Sequence, residues 1–133
     1  MKLDNIMVSV CVITYGHEKY IEQTIDGILM QEVDFDFELI ISNDCSPDQT
    51  DEVVKSYLKD HPKSNKVKYF SHKKNMGAYQ NFVFSLENSN GKYIALCEGD
   101  DYWTNPLKLQ KQVDFLESNP DFSICFTDYA VLS

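Results

Sequence analysis

The chain has 133 residues, 43% of them hydrophobic and 13% aromatic, and a formal charge of -9 at pH 7. That length suits one domain burying well over half of its unfolded surface, and the apolar content excludes an intrinsically disordered tract. The absence of any basic stripe argues against nucleic acid as a partner, and no run is apolar for long enough to cross a bilayer as a helix.

In chain order, short apolar, β-branched runs alternate with segments of helical spacing. "VSVCVIT" (8–14) predicts a strand, and Ile21, Ile25, Ile28 and Leu29 form a helical stripe behind it. "FELIIS" (37–42) predicts the second strand. Ser46 follows as an N-cap, with Pro47 at the first helical position and Gln49 as the capping-box partner. Val53, Val54, Tyr57 and Leu58 supply that helix's apolar face. "KVKYFS" (66–71) predicts a strand, Tyr79, Phe82, Val83 and Leu86 a helix, "KYIALC" (92–97) a strand, and Leu109, Val113 and Leu116 a further helix. "FSICFTD" (122–128) reads as a last strand.

Near-continuous apolar strands alternating with amphipathic helices predict one three-layer α/β/α domain with a mostly parallel, Rossmann-like sheet. Cys11, Cys97 and Cys125 lie in apolar runs, and with Cys45 they show no zinc or redox spacing. "MKLDNIMVSV" lacks the long apolar segment of a signal peptide. The expectation is a reduced, cytoplasmic protein.

Parallel sheets bind ligands at the carboxyl ends of their strands. The segments following the first four strands are "TYGHEKY" (14–20), "NDCSPDQT" (43–50), "HKKNMG" (72–77) and "EGDDYW" (98–103). Right-handed crossovers bring them to one edge, gathering Asp44, Glu98, Asp100 and Asp101. Carboxylates so gathered repel one another unless a cation joins them. Hard Mg²⁺ or Mn²⁺ bridging carboxylates to a diphosphate fits that need, with Lys73, Lys74, Asn75 and Gly77 available to the phosphates.

Taken singly, each segment has a plainer reading. "EGDD" serves equally well as a solvated turn, Asp44 as support for a helix N-terminus, "KKNMG" as a turn, and Tyr15 and Trp103 as core aromatics. His17, His61 and His72 lack metal-ligand spacing and suit surface or capping roles. Cys45 and Ser46 have no recognisable histidine base beside them. Only convergence at one edge lifts the functional reading.

"VSVCVITYGHEKYIEQTIDGILMQ", "FELIISNDCSPDQTDEVV", "NMGAYQNF" and "KYIALCEGDDYWTNPLKLQKQVDFLE" resemble, in that order, the nucleotide-binding half of family 2 glycosyltransferases with the GT-A fold. The resemblance implies a nucleotide diphosphate sugar donor, with UDP- or dTDP-sugars favoured, held with Mn²⁺ or Mg²⁺. Thr14 and Tyr15 would line the base pocket, Tyr15 packing on the ring and Asp44 accepting a base N–H. Lys74, Asn75 and Gly77 would approach the donor. The family's Asp-x-Asp motif falls on Glu98, Gly99 and Asp100, with Glu98 facing the ribose, Asp100 binding the metal and Asp101 as a further candidate ligand. Glu98 stands where Asp is usual, and Asn43 where a first Asp is often found.

The resemblance further implies inverting transfer to an acceptor hydroxyl of a saccharide or lipid-linked acceptor, in polysaccharide or glycoconjugate biosynthesis. The complete enzyme is expected in the cytoplasm or peripheral at the inner face of the membrane. Residues 1–133 are then expected to be the nucleotide-sugar-binding part of a transferase, ending before the acceptor half and its catalytic base, and to bind donor without efficient transfer. Asp128 is a poor candidate for that base. The alternative is a non-catalytic sugar-nucleotide-binding or interaction module. A phosphorylation-dependent receiver domain ranks lower, because "TYGH" and "TDYA" stand where it needs an acidic pair and a lysine.

Overall fold

The computed structural model describes residues 5–131. Four parallel strands, β1 (Ile6–Thr14), β2 (Asp36–Asn43), β3 (Val67–Ser71) and β4 (Tyr93–Glu98), lie in the order β3-β2-β1-β4. The helices are α1 (Ile21–Leu29), α2 (Thr50–Lys59), α3 (Ala78–Glu87) and α4 (Lys108–Ser118). The sheet is wholly parallel, so every strand delivers its C-terminal end to the same edge.

One sheet face carries Val8, Val10 and Val12 of β1, with Phe37, Leu39 and Ile41 of β2. It packs against Ile21, Ile25 and Ile28 of α1, Val54 of α2, and Leu109 and Val113 of α4. Each large aliphatic side chain buried here contributes about 1.5–3 kcal/mol. Interior β1 residues on both faces are buried, as expected for a strand covered on two sides. Trp103, expected as a core aromatic, packs partly buried against this cluster.

α3 covers the other face of β1 and β2, completing three layers. Its buried residues are Asn81 and Ser85, whereas Tyr79 of the expected apolar stripe is 74% exposed and Phe82, Val83 and Leu86 are half-buried. Asn81 Nδ2 donates to the Ser42 carbonyl at 2.9 Å, and the Cys11 thiol faces the Ser85 carbonyl at 3.8 Å. Small and polar residues thus bring this helix close to the sheet, which hydrophobic periodicity does not register.

Two further expectations are corrected. α2 begins at Thr50, because Asp48 Oδ1 accepts the Thr50 N–H at 3.0 Å, while the Ser46 side chain is engaged with Asn43 Oδ1 and the Gly16 N–H. Residues 122–128 form no strand. Phe122 stacks on Phe115 of α4 with centroids 5.6 Å apart, and Thr127 Oγ1 meets Lys108 Nζ at 3.1 Å. The segment follows α4 instead of a sheet neighbour, so its backbone has no ladder to join.

Away from the C-terminal edge, Glu38 is 4% exposed yet charged and paired. Its carboxylate accepts from the Ser9 hydroxyl at 2.6 Å and the Asn90 N–H at 2.7 Å, and pairs with Lys68 at 2.8 Å. Burial pushes its pKa up, but Lys68, Ser9 and Asn90 together outweigh that and hold it below the ordinary glutamate value.

Candidate functional site

The four edge loops are tied together by their own polar groups. The N–H groups of Gly16, His17 and Glu18 donate to Ser46 Oγ at 3.0 Å, Thr50 Oγ1 at 3.0 Å and Asp48 Oδ2 at 3.2 Å. These bonds fasten the loop after β1 onto the loop after β2. Burial acts to raise the Asp48 pKa, yet the Thr50 hydroxyl and N–H and the Glu18 N–H overcome it and keep the carboxyl low.

Asp44, 3% exposed, joins the second loop to the third. Its carboxylate accepts the N–H groups of Met76 at 2.7 Å and Gly77 at 3.0 Å, and its carbonyl accepts Asn75 Nδ2 at 3.1 Å. Two backbone donors compensate a buried carboxylate that has, among the described residues, no basic partner at hydrogen-bond distance. Gly77 adopts φ +90°, a region costly for residues with a Cβ, which lets its N–H turn toward Asp44. Cys45 also sits at positive φ, 60°, where the chain turns out of Asp44.

The loop after β4 is tight. Gly99 N–H bonds the Ile13 carbonyl at 3.1 Å, and Asp101 N–H bonds the Glu98 carbonyl at 3.0 Å. Thr24 of α1, fully buried, sets its hydroxyl against the carbonyls of Gly99 and Asp101 from below. Glu98, Asp100 and Asp101 are thereby thrown outward, each exposed, with one carboxylate oxygen apiece within 4.8 Å of the others. Hard oxygen donors at that spacing fit Mg²⁺ or Mn²⁺.

Beside this triad opens a cleft of about 330 Å³ lined by Thr14, Tyr15, Asp44, Asn75, Gly77 and Glu98. These are six of the residues expected from sequence, drawn from all four loops. Tyr15 is 51% exposed, so its ring is open to a ligand and does not belong to the core. Gly99 lies buried behind Thr14, Asp100 and Asp101 stand in the triad, and Lys74 is exposed outside the cleft lining. His17, Ala78 and Asn81 also line the cleft and went unrecognised in the sequence. Only the position of His17, three residues after Thr14 in the first loop, hinted at its place. A larger, shallow depression of about 510 Å³ at the opposite edge, with Lys63 and Lys66 on its wall, contains none of these groups.

The family model described as Glycosyl transferase family 2 matches residues 9–131. An uncharacterized protein of Mycobacterium tuberculosis, Rv1520, is 39% identical over 124 residues, covering 93% of this chain and 35% of that protein. TuaG of Bacillus subtilis, whose name proposes a teichuronic acid biosynthesis glycosyltransferase, is 34% identical over 128 residues, 96% of this chain and 48% of its own length. Among solved structures, Staphylococcus aureus TarS 1–349 in complex with UDP-GlcNAc is similar with TM-score 0.73 and 28% identity, covering 86% of this chain and 32% of that one. The chain thus spans about a third to a half of these relatives.

Proposed function

The chain belongs to glycosyl transferase family 2 and has its GT-A fold, and from that premise we propose that its C-terminal sheet edge binds a nucleotide diphosphate sugar together with a divalent cation. The observation that carries this reading is the adjacency of a four-loop cleft to three convergent carboxylates. The UDP-GlcNAc complex of TarS supports the donor class. On this reading the exposed Tyr15 ring packs on the base. Asp44, held by Met76 and Gly77, uses a remaining lone pair to accept a base N–H. Glu98, on both the cleft and the triad, faces the ribose.

Asp100, with Asp101, would hold Mn²⁺ or Mg²⁺, and the chemistry such an ion supplies is neutralisation of charge on the departing diphosphate. A pyrimidine base is favoured by the Tyr15 and Asp44 pairing. The full reaction is then inverting transfer to a saccharide or lipid-linked acceptor hydroxyl, in polysaccharide or glycoconjugate biosynthesis. We place the carboxylate base for that hydroxyl in the additional length that relatives possess. Asp128 is exposed on a segment that follows α4, and residues 1–133 are proposed to bind donor without efficient transfer. Among the described residues no helix is long and apolar enough to cross a membrane, and the proposed setting is the cytoplasm or its membrane face.

Calorimetric titration of UDP, dTDP and GDP, each with and without Mn²⁺, tests the reading. Metal-dependent binding that Asp100→Ala abolishes is the expected result. Failure of all three to bind would reject it.

A further inference from the structure

His17 stands between the two halves of this site. Its side chain lines the cleft with Tyr15 and Glu98, is 20% exposed, and brings Nε2 to 3.8 Å from Asp100 Oδ2. Everything else about the residue is committed. Its N–H donates to Thr50 Oγ1 at 3.0 Å, its carbonyl accepts the N–H groups of Tyr20 and Ile21 at 3.0 and 2.9 Å, and Nδ1 lies 2.8 Å from Thr14 Oγ1. Gly99 makes this arrangement possible, because a Cβ there would come within 2.4 Å of Thr14 Oγ1 and 2.7 Å of His17 Nδ1. The ring is therefore packed close against the Gly99 backbone.

The bond at one imidazole nitrogen sets the role of the other. Where the Thr14 hydroxyl is the donor of that bond, Nδ1 is the acceptor and Nε2 carries the proton, toward the carboxylate side of the cleft. A separation of 3.8 Å is too long for a hydrogen bond to Asp100, and Nε2 makes no hydrogen bond among the described residues. In that tautomer an oriented donor faces a region crowded with acceptors, and a ligand that engages it carries acceptor atoms and lies between base cleft and triad.

Resting on the donor-binding reading above, we propose that His17 Nε2–H donates to a non-bridging oxygen of the donor's diphosphate as it crosses from the cleft to the acidic triad. His17 then recognises phosphate, distinct from the base contacts of Tyr15 and Asp44 and from the cation-holding carboxylates. Among the described residues it is the one nitrogen side chain that both lines the cleft and comes within ion-pair distance of Asp100.

Two near-isosteres separate this role from a structural one. In His17→Asn the amide reaches only the Nδ1 position, retaining the Thr14 contact without the outward donor. In His17→Gln an amide nitrogen reaches the Nε2 position. Affinities for UDP and GDP in Mn²⁺ buffer are measured against those for uridine and guanosine, which lack phosphates, with thermal melting of each variant in parallel. His17→Asn should weaken the diphosphate that the wild type binds by about tenfold, the worth of one hydrogen bond to a charged acceptor. It should leave the corresponding nucleoside within about twofold, and His17→Gln should recover most of the loss. Unchanged diphosphate affinity in His17→Asn, or equal losses for diphosphate and nucleoside, would overturn the inference while leaving donor binding intact. Absence of diphosphate binding in the wild type would instead overturn the donor reading, and this inference with it.

Discussion

Asp44 grips the backbone N–H of Gly77 at 3.0 Å, so a residue delivered by β2 fixes the course of the loop that follows β3. The same carboxylate takes the Met76 N–H at 2.7 Å. Asp44→Ala removes the side-chain acceptor of the Met76 N–H and leaves the Gly77 N–H only Asn75 Oδ1, at 3.1 Å, at a cost of roughly 1–3 kcal/mol. Urea denaturation should show that loss, with nucleotide affinity falling beside it. Asp44→Asn, with a single carbonyl acceptor, should fall between wild type and alanine. An alanine variant of full stability would show that the third loop is held by other means.

Gly27 reverses a familiar helix rule. In an exposed helix interior, glycine to alanine gains up to about 1 kcal/mol. Here a Cβ on Gly27 would stand 2.6 Å from the Trp103 carbonyl oxygen and 2.9 Å from its nitrogen. The neighbour is backbone, which yields poorly, so overpacking at about 1–3 kcal/mol wins. Gly27→Ala should lower the melting temperature. It should also weaken metal-dependent nucleotide binding, because the displaced backbone continues the turn bearing Asp100 and Asp101. A higher melting temperature would contradict the packing argument.

Glu38 supplies a pH dependence of definite sign. Its folded pKa lies below the ordinary value of 4.5, so the unfolded chain takes up a proton first as pH falls. The contribution of Glu38 to stability is whole above the unfolded pKa and is lost as pH drops through the depressed folded one. Glu38→Gln should therefore be less stable than wild type at pH 7, with the gap closing in acid. Denaturation midpoints at pH 7 and pH 3 provide the check, and a gap that widens in acid would reverse the assignment.

Much of this was legible in the residues. Continuous aliphatic runs and the Ile21, Ile25, Ile28 stripe announced strands and helix because burial drives both, and glycine, asparagine and aspartate clusters announced the loops. What escaped depends on partners that a linear reading does not supply. Asn81 and Ser85 bury a polar helix face because Ser42 and Cys11 wait opposite. Asp48 displaced Ser46 as the group that opens α2 because Asn43 and Gly16 claim the serine. "FSICFTD" has strand composition, yet composition alone provides no neighbouring strand. For His17, the first-loop position was visible, but its neighbours Gly99 and Asp100 lie more than eighty residues further along the chain.

Placing the ligands directly tests the central claim, that one sheet edge holds nucleotide and cation side by side. Crystals soaked with UDP and Mn²⁺ would locate the metal by anomalous scattering and the base by difference density. The account predicts a manganese peak among Glu98, Asp100 and Asp101, with the base lying against Tyr15 within hydrogen-bond reach of Asp44. A metal peak away from that triad, or UDP seated in the opposite depression beside Lys63 and Lys66, would contradict it.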